Sequence, residues 1–408
     1  MDDRWDAAVI GAGAAGIAAA ATLHRAGRSV VLIEATGRIG GRAQTETIDA
    51  MPLDLGCGWL HSAERNPLTA LAAAACFTVD RGEAAWGRQY RDLGFTAVEQ
   101  RAARAAFAAF HARLEEAPAA SDRAAAMLGD GDWNAYIEAL SGYMNGASLG
   151  QLSIADYLAY ENAASDADWR IREGYGAFIA SRLPAVRLML GLPVTRIGLA
   201  GRDVTVETAA GTLRCGAAIV TVSTNVLASA AIRFGGAADA QLHAAACLPL
   251  GLADKLFLGL ADGHGLPAEA HLIGDPRCAT TGSYYIRPFG RPVIEAFVGG
   301  PGAVALERAG QHAAFAFAID ELAALLGSAI RAKLIPLAAS SWGRHSHVRG
   351  SYSHALPGHA DCRAALATPI DGRLFFAGEA THRTDFSTAH GAWESGQRAA
   401  ATVLAKTG

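Results

Sequence analysis

The chain has 408 residues, 51% of them hydrophobic and 18% charged, with a formal net charge of −4. That length exceeds what one hydrophobic core usually supports, which predicts two domains, and the balance excludes a disordered chain. The slight excess of acid leaves no basic field for nucleic acid. The six cysteines, Cys57, Cys76, Cys215, Cys247, Cys278 and Cys362, include no C-x-x-C pair, so neither a zinc site nor a redox dithiol is signalled. Scattered single thiols fit a reducing compartment. The opening Met1-Asp2-Asp3-Arg4-Trp5-Asp6 lacks the basic region of a signal peptide, and the apolar run 7–21 gives way to Thr22, His24 and Arg25 before it reaches a membrane span. The expectation is a soluble cytoplasmic protein, without nucleic-acid partners or stable membrane insertion.

In chain order, residues 7–10 form a short apolar strand, a glycine turn follows, and an alanine-rich helix runs to about Ala26 with Gly27 suited to its C-cap. Residues 29–33 are a second strand whose Val-Val-Leu-Ile run is apolar, as a buried parallel strand should be, which completes a βαβ unit. From 96 to 128 the spacing predicts a helix whose Arg101, Arg104, Glu115 and Glu116 form a solvated face. Residues 204–207 and 212–214 read as a hairpin around Ala209-Ala210-Gly211, and 218–222 as a buried strand. Residues 256–260 and 293–298 look like strands of a second sheet, and 312–326 is helical. Residues 374–377 are a last buried strand, followed by Gly378 and a helix from about 389 to 405.

Gly11-x-Gly13-x-x-Gly16 follows a strand and opens a helix, the context a dinucleotide site needs. Gly11 permits the tight turn, Gly13 lets the backbone approach a pyrophosphate, and Gly16 lets helix and strand pack closely. The helix N-terminus then offers unpaired N–H groups and partial positive charge to phosphate. Glu34, 18 residues past Gly16, ends the second strand where a carboxylate can accept from ribose hydroxyls.

The residues that follow resemble a known family. Glu34-Ala-Thr-Gly-Arg38-Ile-Gly40-Gly41-Arg42-Ala-Gln-Thr45 is similar to the extended E-x-x-x-R-x-G-G-R-x-x-T signature of the flavin amine oxidases and their relatives. Arg373-Leu-Phe-Phe-Ala-Gly378-Glu379-Ala-Thr381, with Thr388-Ala389-His-Gly391-Ala-Trp-Glu-Ser-Gly396, resembles the second flavin-binding block of that family, which includes polyamine oxidases and the lysine-specific histone demethylase. The segments Asp54–His61, Pro193-Val194, 221–227, Asp254-Lys255-Leu-Phe257, and Trp342 with Arg349-Gly350-Ser351-Tyr352-Ser353 match in the family's order. The resemblance implies an α/β, two-domain flavin amine oxidase-like fold: a Rossmann-type βαβ FAD domain and an α+β substrate domain. Nucleotide signals at both ends of the chain divide it into 1–80, 190–240 and 340–408 for the FAD domain, and 81–189 and 241–339 for the substrate domain.

By the same resemblance, FAD contacts come from Gly11, Gly13, Ala15, Gly16, Glu34, Arg42, Gly58, Trp59, Val194, Trp342, Gly378, Glu379, Thr388 and Ala389. Arg42 would stand beside the pyrophosphate as a fixed cation, Val194 at the adenine, and Glu379 at the ribityl–pyrophosphate region. The helix near Thr388 would point its N-terminus at the isoalloxazine. Monoamine oxidases carry their flavin on a cysteine at the position of Ser351, so FAD is expected to be non-covalent here. Their second cage aromatic falls at Thr388, which leaves Tyr352 as the one aromatic wall.

The implied activity is FAD-dependent oxidation of a primary or secondary amine, diamines and polyamines among the candidates, to an imine, with O2 reduced to hydrogen peroxide. Catalytic roles are expected for Lys255, which holds a water near the reacting atoms, and for Tyr352, His61 and Thr388 at the substrate. Burial is expected to lower the Lys255 pKa. Two other readings stand beside this one: a desaturase or protoporphyrinogen-oxidase-like enzyme for large apolar substrates, and a flavin-binding module without turnover. No amphipathic membrane-docking helix with a basic face supports the former. His345, His347, His354 and His359 form a loose stretch that no carboxylate or cysteine joins at recognised metal spacing, so no metal is expected.

Overall fold

The computed structural model describes residues 4–118, 121–199 and 201–407. Residues 1–3, on which part of the N-terminal reading rests, lie outside the described residues. Two large sheets draw on twelve strands. In chain order these are β1 (Arg4–Ile10), β2 (Val30–Ile33), β3 (Arg187–Met189), β4 (Val194–Gly198), β5 (Val204–Thr208), β6 (Gly211–Val220), β7 (Ala253–Leu260), β8 (Ala270–Ile273), β9 (Ser283–Ile286), β10 (Val293–Gly299), β11 (Leu334–Ala339) and β12 (Leu374–Phe376). The helices that bear on the site are α1 (Ala14–Arg25), α2 (Ala97–Glu115), α3 (Asn134–Asn145), α4 (Ile154–Glu161), α5 (Asp239–Ala246), α6 (Gln311–Leu326), α7 (Cys362–Ala367) and α8 (Ala389–Thr407).

The first sheet runs β3-β2-β1-β6-β5-β4, with β12 also pairing β6. Its β3, β2, β1, β6 and β12 are mutually parallel, while β5 and β4 continue it as an antiparallel flap. Alternate residues of β1 and β2 enter opposite cores. Ala7, Val9, Val30 and Leu32 meet α1 and α8; Ala8, Ile10, Val31 and Ile33 meet the far layer with Ile197, Leu227 and Phe234. Burial on both faces is why these strands are apolar without alternation. Gly16 lets α1 lie against the turn, since a Cβ there would sit 1.8 Å from the Gly11 carbonyl oxygen. The sheet's second segment begins at Arg187, ahead of the boundary expected at 190.

The second sheet, β8-β9-β10-β7-β11, is antiparallel. Leu256, Leu258, Leu272, Tyr284, Ile294, Ala296 and Val298 point to a core closed by Phe315, Ala318 and Leu322 of α6. The opposite parity carries Lys255, His271, Ser283, Tyr285, Glu295 and Phe297, and faces a cavity. Phe257 and Val293 on the same parity pack against Leu53 and Leu55, so the polar side chains gather where the face borders the cavity.

The helix expected over 96–128 is shorter. It starts at Ala97 with a full capping box between Thr96 and Glu99, and ends at Glu115, after which a separate 3-10 turn covers Ala124–Met127. Pro118 explains the early stop, because proline disfavours helical backbone at the residue before it. Arg101, Arg104, Glu115 and Glu116 are exposed, as expected of a solvated face.

Candidate active site

In an open parallel sheet, ligands bind beyond the C-terminal ends of the strands where the strand order reverses. Here the reversal lies between β1 and β6, and Ile10, Gly11, Glu34, Thr221 and Gly378 at those strand ends line one cavity of about 860 Å³. The same cavity extends to the polar face of the second sheet. Every site residue expected from the sequence lines it except Gly16, whose role is the helix–strand contact described above.

The nucleotide-strand end fits a dinucleotide. The N-cap of α1 is Gly13, which offers no side-chain acceptor to the first helical N–H groups, and Gly13, Ala14 and Ala15 face the cavity. Those donors and the helix dipole suit phosphate oxygens. A Cβ on Gly378 would meet no atom within 4 Å, so the backbone there opens directly onto the cavity. The Gly40-Gly41 segment is hydrogen-bonded to the first glycine loop through Gly40 N and the Ala12 carbonyl, at 2.8 Å. Glu34 is buried and accepts from Ala12 N and Thr36 N, both at 2.8 Å, which fixes its carboxylate at the cavity edge. Val194, with Leu192 and Ile232, forms an apolar end.

Arg42 and Glu379 bind each other. Arg42 Nη1 donates to Glu379 Oε1 at 2.8 Å and to the Ser351 carbonyl at 2.7 Å. Glu379 therefore balances the charge of Arg42 at the cavity wall. Glu379 Oε2 also accepts from Ser353 Oγ and Ser387 N. Burial alone would raise this carboxyl; Arg42, Ser353 and Arg363 outweigh it and hold the group below the usual glutamate range. Arg363 in turn forms a buried two-pronged pair with Asp156 of α4, at 2.5 and 2.7 Å, and donates to Ser353. A chain of alternating charges, Asp156, Arg363, Glu379 and Arg42, thus links α4, α7, the segment after β12 and the second glycine loop.

At the other end, Lys255 Nζ lies 2.8 Å from Glu295 Oε1. Gly58 makes room for the ammonium: a Cβ there would sit 3.0 Å from Nζ. Burial alone would lower the lysine pKa, as expected from the sequence, but the Glu295 and Asp54 carboxylates reverse the sign and raise it. Asp54 itself caps the helix Tyr175–Ser181 through Tyr175 N and Gly176 N. Burial pushes its carboxyl up, and Lys255 offsets only part of that.

Aromatic side chains wall the rest. Tyr352 donates its hydroxyl to the Tyr143 carbonyl at 2.5 Å, and the Tyr143 ring lies 6.2 Å from Phe297. Trp59 packs 4.2 Å from Trp86 and 5.9 Å from Tyr285, with the Arg170 guanidinium 4.9 Å above it. Trp342 donates Nε1 to the Leu55 carbonyl and stacks on His345. Thr388 lines the cavity, but its hydroxyl is committed to starting α8, accepting from Gly391 N and donating to the Asp385 carbonyl. Ala389 follows as the first helical residue. His61 Nδ1 lies 2.6 Å from Asp168 Oδ1, and Glu161, Asp166 and Asp168 give this stretch of the lining an acidic character. His271 is buried against Ser283 and pushed down to about 4 by burial, so it is neutral.

Sequence reasoning missed Glu295, Asp168, His271 and the Asp156–Arg363 pair. Glu295 alone left a trace: an acid amid the apolar run Val293-Ile-Glu-Ala-Phe-Val298.

Comparison with known proteins agrees with this geometry. A model of flavin containing amine oxidoreductases matches residues 89–404, and one of NAD(P)-binding Rossmann-like domains matches 9–75. Polyamine oxidase 3 of Oryza sativa subsp. japonica is 28% identical over 97% of this chain and 88% of its own length. Polyamine oxidase 2 of Arabidopsis thaliana is 27% identical, over 96% and 86%. The structure of a putrescine oxidase bound to putrescine superposes with a TM-score of 0.80 at 21% identity, covering 99% of both chains, and supports the fold.

Proposed function

The chain belongs to the flavin containing amine oxidoreductases, and we propose that it oxidises a small diamine or polyamine to an imine, with O2 as the final acceptor and hydrogen peroxide as the co-product. The observation that carries this reading is the composition of one cavity: a dinucleotide cradle at one end, aromatic walls in between, and Glu161, Asp166 and Asp168 among its lining. Carboxylates attract a cationic amine, and Trp59, Tyr285 and Phe297 suit the methylenes between two nitrogens.

FAD, when bound, supplies the two-electron acceptor for the amine C–H bond. The residues of the chain bind, orient and manage protons. Tyr352, held by its hydroxyl on the Tyr143 carbonyl, positions the reacting nitrogen with Thr388. An amine arrives protonated and must lose a proton before oxidation. His61 donates Nδ1–H to Asp168, which leaves Nε2 as the acceptor for that proton. Lys255, kept cationic by Glu295 and Asp54, orients a water for hydrolysis of the imine and favours negative charge beside it.

FAD is held without a covalent bond. Ser351 has no thiol and its hydroxyl is bonded to both backbone atoms of Ala253. Cys57, which does line the cavity, is pushed up to about 12 by burial and stays a thiol.

Anaerobic mixing of the purified yellow protein with a panel of amines tests the assignment. Bleaching of the flavin by diamines or polyamines supports it. Bleaching only by polyenes or porphyrinogens transfers the chain to an apolar-substrate reaction, and bleaching by nothing in either panel makes it a binding module. Acid precipitation should leave the flavin in the supernatant; colour retained in the washed pellet overturns the non-covalent assignment.

A further inference from the structure

Three metal-ligating side chains, Cys247, His359 and Cys362, converge outside the cavity, and His243 adjoins Cys247. His243 and Cys247 stand four residues apart at the end of α5, one helical turn, so both project from the same side. His359 and Cys362 stand three apart in the turn that opens α7, closed by Cys362 N on the His359 carbonyl at 3.0 Å. None of the four lines the cavity.

Cys247 Sγ, Cys362 Sγ and a ring nitrogen of His359 all lie within 4.8 Å of one another. Cys362 Sγ is 4.0 Å from His359 Nδ1, and Cys247 Sγ is 3.8 Å from His243 Nε2. The two imidazoles meet edge to face with ring centroids 6.5 Å apart. A tetrahedral zinc site with bond lengths of about 2.3 Å to sulfur and about 2.05 Å to nitrogen has ligand–ligand edges of roughly 3.3–3.8 Å. Small rotations bring Cys247, His359 and Cys362 to these separations, and His243 adjoins the trio through Cys247.

We propose that Cys247, His359, Cys362 and His243 form a binding site for a borderline-soft divalent cation, Zn²⁺ in class. Two thiolates and two neutral imidazoles balance a 2+ ion, and each thiol that ligates gives its proton to solvent. Cys247 is buried, His359 and Cys362 are half-buried, and His243 is exposed, which gives the ion a route in from solvent. A disulfide between the two sulfurs would leave unexplained why an imidazole is turned on each of them. Among the described residues a second convergence of metal-binding groups, His382, Asp385 and Glu394, already has a cation, since Arg65 pairs with Asp385 at 2.5 Å.

The site is structural in character, with four protein ligands and no position left for substrate. It would staple α5 to α7, and α7 carries Arg363 immediately after Cys362. The ion would thereby fix the arginine that holds Asp156 and Ser353.

The test uses flavin-loaded protein, purified under reductant, stripped with a chelator and titrated with Co²⁺. One equivalent should give the intense d–d bands of a tetrahedral site, to the red of flavin absorption, and Zn²⁺ should displace it. Zn²⁺ should also raise the melting temperature. Cys362→Ser should lose both effects, while Cys76→Ser, at an exposed cysteine elsewhere, should keep them. Should Cys362→Ser fail to retain flavin, His243→Ala at the exposed ligand should fold and bind Co²⁺ about tenfold or more weakly. Absence of tetrahedral bands overturns the proposal, as do bands unchanged in both His243→Ala and Cys362→Ser. So does a Cys247–Cys362 disulfide that forms equally fast with and without Zn²⁺.

Discussion

Lys255 and Glu295 are an intersheet-facing ion pair: they project from adjacent antiparallel strands onto the cavity, Nζ 2.8 Å from Oε1, with Lys255 opposite Phe297 in the ladder. The lysine is 7% exposed. A buried ammonium beside one carboxylate and near a second is a fixed charge, not a switch.

The Lys255 pKa lies above the ordinary lysine value of 10.5. Its contribution is complete below that value and is lost only as pH rises through the raised one. Between about pH 6 and 9, kcat/KM should show no limb from this group. Lys255→Met should retain FAD and fold, at a cost of about 3–5 kcal/mol, because Glu295 loses its partner in a largely buried place. The oxygen half-reaction should slow substantially in stopped flow, with amine oxidation affected less. A Met variant with the wild-type oxygen rate would make Lys255 a packing residue. Lys255→Met combined with Glu295→Gln should recover part of the stability.

Glu379→Gln should release FAD and destabilise the protein, since the substitution removes the charge that Arg42 and Arg363 share. The wild-type carboxyl is held below its ordinary 4.5, so its contribution is present above that value and is lost as pH falls through the depressed one. Flavin retention followed by fluorescence should therefore persist on mild acidification and fail only below the ordinary carboxylate range. Loss of flavin already near neutrality would contradict this.

Glu34→Ala should yield largely apo protein. It removes an acceptor for ribose hydroxyls, each charge-assisted bond worth roughly 1.5–3 kcal/mol, and orphans Ala12 N as well. The ratio of flavin to protein absorbance measures this directly. Full occupancy at wild-type affinity would place the ribose elsewhere.

Tyr352→Ala should slow anaerobic flavin bleaching by amine while leaving FAD bound, because positioning is lost and the cofactor contacts are not. Tyr352→Phe should retain the ring but free the Tyr143 carbonyl, giving an intermediate rate. Equal loss of flavin in both variants would assign Tyr352 to the cofactor instead.

What was legible in the sequence was local. Gly11, Gly13, Gly16 and Glu34 act through spacing along one βαβ unit, and that spacing survives in a linear string. Lys255 could be placed in the site by resemblance, but the sign of its pKa shift could not. The sign depends on Glu295 and Asp54, brought in by strand pairing and by a helix cap. Asp156 and Arg363 are 207 residues apart, and neither sits in a pattern that announces a partner. The helix expected to reach 128 failed for the opposite reason: a local stop, Pro118, was outweighed by alanine-rich periodicity. The cysteines and histidines of the proposed metal site escaped a search for C-x-x-C because each half of the set pairs one thiol with one imidazole.

The pairing of β6 with β12 has a consequence for synthesis. Ala218 meets Leu374 in that ladder, so the sheet that contains Arg4–Ile10 gains this parallel strand only after residue 374 has left the ribosome. Gly378 and Glu379 arrive later still. A nascent chain can form the early βαβ unit, yet it lacks this side of the cradle until residues 374–379 emerge, so ribosome-stalled chains ending before residue 374 remain colourless.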